Sequence, residues 1–213
     1  MPIPTYPSAI LAHRRADIGV HALGLALTLA AGAALLWRGL GVLDGALIAA
    51  VIVYFTAALA SNLASWAYHF APWHDRRALL RRIDHAAIYP SITASFTPFF
   101  LKADTTWTLT LLGVCWCFTA LAIWNKITNE NVKSRWSTAS YLALGAIGLL
   151  ALPDLSHLPV AVPFCIIGGA VSYVIGTFFY ARKTLPYRYA IWHVWVNFGA
   201  VFMYAGIWIA LFW

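Results

Sequence analysis

Seven long apolar runs, separated by short polar connections, make up most of the 213-residue chain. A run of about 20 apolar residues is long enough to cross the hydrocarbon core of a bilayer as an α-helix. No signal-peptide cleavage pattern follows the first run, so it too is expected to span the membrane. The predicted helices lie at about 18–37, 45–70, 83–101, 105–125, 136–152, 159–181 and 188–212. The pattern therefore predicts an all-α integral membrane protein, with seven transmembrane helices in a single domain over residues 1–213.

The composition indicates a surface that faces lipid. Hydrophobic residues make up 62% of the chain and charged residues only 10%, whereas a soluble domain has about 45–50% and about 25%. This surplus of apolar side chains is too large for one buried core. Membrane lipids are therefore the expected partners of the protein.

The basic residues predict how the helices are oriented. Of the 14 Lys and Arg residues, only Arg38 and Lys102 lie outside four clusters, which precede helix 1 or follow helices 2, 4 and 6. The clusters contain Arg14, Arg15, Arg76, Arg77, Arg81, Arg82, Lys126, Lys133, Arg135, Arg182, Lys183 and Arg188. Because cytoplasmic loops carry the excess of positive charge, the N-terminus is predicted in the cytoplasm and the C-terminus outside. The expected location is the plasma (cell inner) membrane, and nucleic-acid binding is not expected despite the net charge of +7.

Ionisable groups within spanning helices are rare and usually functional, and here they lie near one end of the predicted bundle. Four helices contribute them at the cytoplasmic side. With the neutral polar residues beside them, the set comprises Asp17 and His21 on helix 1, Asn62, Ser65 and His69 on helix 2, Asp84 and His85 on helix 3, and Tyr189, His193 and Asn197 on helix 7. Spacings of three and four residues place the polar groups of one helix on one face. We therefore predict a polar site in the inner leaflet.

Three kinds of site would use such a set of side chains. Imidazoles from different helices with a carboxylate nearby suit a zinc ion that keeps one position open for water. A hydrogen-bonded cluster that holds helices together needs the same residue types. A path for protons or ions is the third alternative, although it would need polar groups through the full depth of the membrane.

Three motifs resemble the hemolysin III family, the bacterial branch of the progestin and adipoQ receptor membrane proteins, which are related to the alkaline ceramidases. The first motif is "SWAYH", with Ser65 and His69; the second is "RRIDHAAIYPSITASFTPF", with Asp84; the third is "YAIWHVWV", with Tyr189 and His193. The resemblance extends over essentially the whole chain. It implies seven helices with a cytoplasmic N-terminus and a zinc ion near the cytoplasmic face.

The resemblance also implies roles for individual residues. The zinc ligands would be His69 and the two positions of the helix-7 motif, of which His193 is the second. Asp84 would hold the reactive water, and Ser65 would be its hydrogen-bonding companion. These two are the predicted catalytic residues.

The sequence departs from the family pattern at two places. The first histidine of the helix-7 motif is Tyr189 here, and a phenol with a pKa of about 10 is a poor neutral ligand. On helix 1, the family's Glu, Asn and His correspond to Arg14, Asp17 and His21. The metal site is therefore either altered or lost, and Asp84, His85 and His21 are the candidates for a third ligand.

Two functions remain as hypotheses. The protein is either a zinc-dependent membrane hydrolase of lipid amides or esters, or a non-enzymatic, lipid-responsive regulator of membrane homeostasis with an altered or lost metal site. The substitution at Tyr189 favours the regulator. A cytolytic role is not favoured, because no segment has the pattern of a secreted pore-forming protein.

Overall fold

Seven α-helices form the part of the chain described by a computed structural model, which covers residues 6–128 and 134–213. They are α1 (Leu11–Gly39), α2 (Gly45–Phe70), α3 (Arg77–Ala103), α4 (Thr106–Thr128), α5 (Ser134–Leu149), α6 (Ala161–Ala181) and α7 (Arg188–Phe212). Two short 3-10 helices, His74–Arg76 and Leu152–Leu155, precede α3 and follow α5. Within these described ranges there is no β-strand, so the predicted all-α class is confirmed.

Five of the seven helices are long and apolar enough to cross a membrane: α1, α2, α4, α6 and α7. Helices α3 and α5 do not meet this description. Helix α5 has only 16 residues, and the first half of α3 carries several charged side chains. The number of spans and the predicted orientation therefore stay predictions. Among the basic residues that support the orientation, Lys133 lies outside the described residues.

Two helices begin several residues before their apolar runs. Helix α1 starts at Leu11 rather than near residue 18, which places Asp17 inside the helix and one turn before His21. Helix α3 starts at Arg77 rather than near residue 83. Polar residues can continue a helix into the membrane surface, where hydropathy no longer marks its boundary.

The buried Arg77 side chain joins the start of α3 to the end of α2. Its guanidinium donates hydrogen bonds to the main-chain carbonyls of Tyr68 and Ala71, the second at 2.6 Å. A helix ends with carbonyls that have no partner within the helix, and a nearby cation stabilises them. This contact fixes the end of α2, which carries His69, against α3.

The largest apolar core lies away from these polar groups. Phe96, Phe99 and Phe100, here called the phenylalanine layer, are buried in the C-terminal half of α3. The layer packs among residues of α1, α2, α6 and α7. Gly148 makes room for it, since a Cβ at this position would lie 2.2 Å from a ring carbon of Phe96. Close approach to small residues is the usual way in which helices associate in membranes.

Candidate metal centre

Three histidines from three different helices converge at one end of the bundle. His21 comes from α1, His69 from α2 and His193 from α7, and one ligand atom of each lies within 4.8 Å of the other two. The ring centroids of His21 and His193 are 3.9 Å apart, and each is 5.0 Å from the centroid of His69. Three imidazoles are the ligand set of many catalytic zinc sites. This group, here called the histidine cluster, can therefore hold a metal ion.

Asp17 lies at the centre of the cluster and contacts all three rings. Its carboxylate accepts hydrogen bonds from Nδ1 of His69 at 2.7 Å and from Nδ1 of His193 at 3.0 Å. Nδ1 of His21 donates to the main-chain carbonyl of Asp17 at 2.9 Å. The side chain of Asp17 is completely buried. A buried carboxylate is costly unless it is hydrogen-bonded, and the imidazoles satisfy this need.

These hydrogen bonds select one tautomer for each ring. An ionised carboxylate and a main-chain carbonyl only accept hydrogen bonds, so each of the three rings carries its hydrogen on Nδ1. Nε2 of each neutral ring is then the acceptor nitrogen, and that of His21 faces the Ser65 hydroxyl. A carboxylate that fixes Nδ1–H in this way is the usual companion of metal-ligating histidines. This pattern of hydrogen bonds is compatible with a metal site at the three rings.

Ser65 and Asp84, the predicted catalytic pair, lie next to the cluster. The Ser65 hydroxyl is 3.1 Å from Nε2 of His21, and it also interacts with the Asp84 side chain. Asp84 is buried and lies within electrostatic range of His69 and His21. The structure therefore brings both residues to the edge of the cluster, while their catalytic roles stay predictions.

Of the three candidates for a third ligand, only His21 belongs to the cluster. Among the residues that the structure describes, neither Asp84 nor His85 is part of that group. The main-chain carbonyl of His85 accepts a hydrogen bond from Tyr141 at 2.8 Å, and its side chain lies within electrostatic range of Lys126. The same side chain also lies within electrostatic range of Arg81 and His69, so it is near the cluster without belonging to it.

Tyr189 lies beside the cluster but outside the three-histidine group. Its ring meets the His69 ring edge-on, with 4.9 Å between the centroids, and its other face carries the Arg188 guanidinium at 4.4 Å. Because His21 occupies the third position, the substitution at Tyr189 does not leave the cluster with two imidazoles. Whether the three act as ligands stays a prediction.

The two asparagines predicted on the same polar faces join helices together instead. Asn62 donates a hydrogen bond to Thr28 of α1 at 3.1 Å, and Asn197 donates to the Val20 carbonyl of α1 at 3.1 Å. Both bonds connect α1 to a neighbouring helix one or two turns from the histidines. They help to hold α1 in the position that the cluster requires.

Sequence reasoning placed Asp17 among the polar groups of this end but assigned it no role. The signal was its spacing of four residues from His21, which puts both side chains on one face of α1. What the spacing did not show is that the same carboxylate reaches α2 and α7. His193 is the most exposed member of the cluster, with 13% of its side chain accessible against 0% for Asp17.

Comparison with known proteins supports the family resemblance that the three motifs indicate. The sequence model of the family described as "Haemolysin-III related" matches residues 13–204, which include every residue of the cluster. The chain is 30% identical over 159 residues to the "Hemolysin-3 homolog" of Bacillus subtilis (strain 168), an alignment that covers 74% of this chain and 75% of the relative. It is 28% identical over 161 residues to "Hemolysin-3" of Bacillus cereus, covering 74% and 73%. The chain therefore belongs to the haemolysin III-related family of multi-pass membrane proteins.

Proposed function

We propose that the protein is a zinc-dependent hydrolase that cleaves an amide or ester bond of a membrane lipid. The observation that carries this proposal is the convergence of three imidazoles from three helices on one buried carboxylate, Asp17, with one ligand atom of each ring within 4.8 Å of the other two. His21, His69 and His193 are the residues that would hold the metal.

Zinc supplies Lewis acidity: when bound, it polarises a carbonyl and makes water acidic enough to act near neutral pH. The remaining work belongs to side chains of this chain. Asp17 orients the rings, and Asp84 is placed to accept a proton beside them. Ser65 contacts both His21 and Asp84. Its hydroxyl can therefore donate a hydrogen bond either to the imidazole or to the carboxylate. The buried setting strengthens each of these electrostatic interactions.

The lipid substrate follows from the position of the cluster. The three histidines lie near one end of helices α1, α2 and α7, each of which is apolar enough to cross a membrane. A carbonyl just below the headgroup of a lipid would reach that depth, while its acyl chain remains among apolar helices. By the predicted orientation, this is the inner leaflet of the plasma membrane.

The test is zinc content and lipid cleavage of the purified protein in lipid nanodiscs. We expect about one zinc ion per chain, and release of fatty acid from a lipid amide or ester. His69→Ala should lose both, whereas His13→Gln, which changes a histidine at the same end that only stacks on Tyr187, should keep both. Wild-type protein with neither zinc nor cleavage would refute the proposal.

A second candidate is the non-enzymatic regulator, and one observation favours it. All three Nδ1 atoms and the Asp17 carboxylate already have hydrogen-bond partners within the protein, so the cluster is satisfied as a connection between three helices. Zinc binding without cleavage of any lipid amide or ester would support this function. The hemolysin names belong to the relatives, and the same preparations would reveal lysis of erythrocytes if it extended to this chain.

A further inference from the structure

A cavity of about 470 Å³ opens at the end of the bundle opposite the histidine cluster. It lies where α1, α3 and α7 end, next to the segment that precedes α6. Three basic side chains, Arg38, Lys102 and His157, line it together with the apolar Leu211, Phe212 and Trp213. This volume falls within the range of about 300–1,000 Å³ that is usual for sites of small molecules.

Arg38 and Lys102 are the two basic residues that the clusters of positive charge leave out. They are 64 positions apart in the sequence, at the last turns of α1 and α3, yet they line the same cavity. Neither belongs to an ion pair of the described residues. Two cations that share a cavity whose described lining includes no Asp or Glu side chain favour an anionic ligand.

The Arg38 side chain is held in place by an aromatic ring of the cavity. Its guanidinium lies over Phe212, 5.3 Å from the ring centroid, and such a cation–π contact orients the planar group. A guanidinium presents two parallel N–H groups that match the oxygens of a phosphate. The cavity thus combines an oriented phosphate donor with an apolar wall.

Tryptophan side chains indicate the depth of the cavity in the membrane. Trp37 and Trp213 at this end are 87% and 88% exposed, and exposed tryptophans of membrane proteins concentrate at the level of the lipid headgroups. Trp213 itself lines the cavity. A ligand at this level would have its charged group among the cations and a chain against Leu211 and Phe212.

We propose that this cavity binds the headgroup of an anionic phospholipid. The phosphate lies between Arg38 and Lys102, the His157 ring can donate a further hydrogen bond, and an acyl chain covers the apolar wall. Basic pockets between spanning helices recognise anionic headgroups in this way. The apolar wall favours a lipid over a soluble phosphate, because a free anion would gain nothing from it. The proposal is independent of zinc and of the proposed hydrolase.

The experiment is photo-cross-linking of the full chain in nanodiscs with a phosphatidylglycerol that carries a photoreactive acyl chain. Peptide mapping should place the adducts on Leu211, Phe212 or Trp213. Unlabelled phosphatidylglycerol should compete, whereas phosphatidylcholine and inorganic phosphate should not. In the double variant Arg38→Gln/Lys102→Gln we expect these adducts to fall about 30-fold, as for the loss of two charges near a membrane surface.

Arg182→Gln is the matched control, because this guanidinium also lies over a phenylalanine, Phe178 at 4.2 Å, but does not line the cavity. It should leave the adducts on the cavity residues unchanged. Three results would overturn the proposal: equal competition by phosphatidylcholine, competition by inorganic phosphate alone, or equal adducts in the double variant and the wild type. The competition arms use wild-type protein, so the proposal can be refuted even if the double variant does not fold.

Discussion

The histidine cluster and the phenylalanine layer hold the same helices together by different means. At one end, the Asp17 carboxylate joins α1, α2 and α7 through hydrogen bonds to imidazoles. In the other half, rings of α3 pack among neighbouring helices and against small residues such as Gly148. Polar contacts need an exact partner for each atom, whereas packing needs only volume and shape.

This difference indicates where function and stability lie. Lipid tails are as apolar as the side chains, so helices in a membrane gain stability from close packing rather than from the hydrophobic effect. The phenylalanine layer can supply that packing without any ionisable group. The histidine cluster and Asp17 bring four ionisable side chains into contact, an expensive arrangement in a membrane that usually marks a functional site. The two regions should therefore respond differently to substitution.

The largest effect on stability is expected in the phenylalanine layer. Phe99→Ala should lower the free energy of unfolding by about 3–5 kcal/mol, because it leaves a cavity in a fully buried site, and the remaining folded protein should keep its zinc. Phe164→Ala, which removes a ring that is 69% exposed, should change it by less than about 0.5 kcal/mol. Unfolding in mixed micelles with increasing SDS measures both. Loss of zinc from folded Phe99→Ala protein would contradict the separation of the two regions.

Asp17→Asn should have the opposite profile, with a large effect on metal and a smaller one on stability. The amide places an N–H group against a ring N–H, so one imidazole must turn or move its hydrogen to Nε2. Zinc affinity should fall about 10–100-fold, as is typical when the partner of a ligating histidine is lost. Competition with a chelator of known affinity measures this change. Asp75→Asn, at an exposed aspartate, is the control, and an unchanged affinity in Asp17→Asn would exclude the proposed role of the carboxylate.

Gly24→Ala tests the close contact of α1 with α7 next to the histidine cluster. A Cβ at this position would lie 2.5 Å from Oδ1 of Asn197, the residue that connects α7 to α1. The substitution should destabilise the protein by about 1–3 kcal/mol, as overpacking usually does. Gly19→Ala on the same helix has open space and should stabilise the protein by about 0.5–1 kcal/mol, because alanine favours a helix interior. Equal unfolding curves for the two variants would contradict the close approach of α7 to α1.

Tyr189→His should have the smallest effect. With His21 in the cluster, three imidazoles are already present, so an added histidine would not restore a missing ligand and could only compete with water for the open position. Zinc affinity should change less than about threefold, well below the 10–100-fold effect expected at Asp17. A large gain in zinc occupancy would instead show that the natural site lacks a ligand and that Tyr189 marks its position.

Much of the local structure could be predicted from the sequence. Helix number and the all-α class follow from the apolar runs, because a backbone in lipid must satisfy its hydrogen bonds internally. Helix ends at the surface were less certain, as the early starts at Leu11 and Arg77 show. Hydropathy detects burial in lipid, and it loses its meaning where a helix continues into polar surroundings.

The candidate site was only partly predictable. His69 and His193 carried the family motifs, and the helical spacing put Asp17 and His21 on one face, but three residues competed for the third position. Spacing orders the side chains of one helix, and it contains no information on the rotation of one helix against another. Only the packing of α1 between α2 and α7 brings His21 into the cluster, which His85 does not join among the described residues.

The sequence by itself determined the helices, the family and the concentration of polar groups at one end, since each depends on composition or on neighbours along one helix. The tertiary structure decided that Asp17 joins three histidines, and that Arg38 and Lys102 share a cavity. Both results depend on residues that are distant in the chain, and only the packed bundle brings them within contact distance.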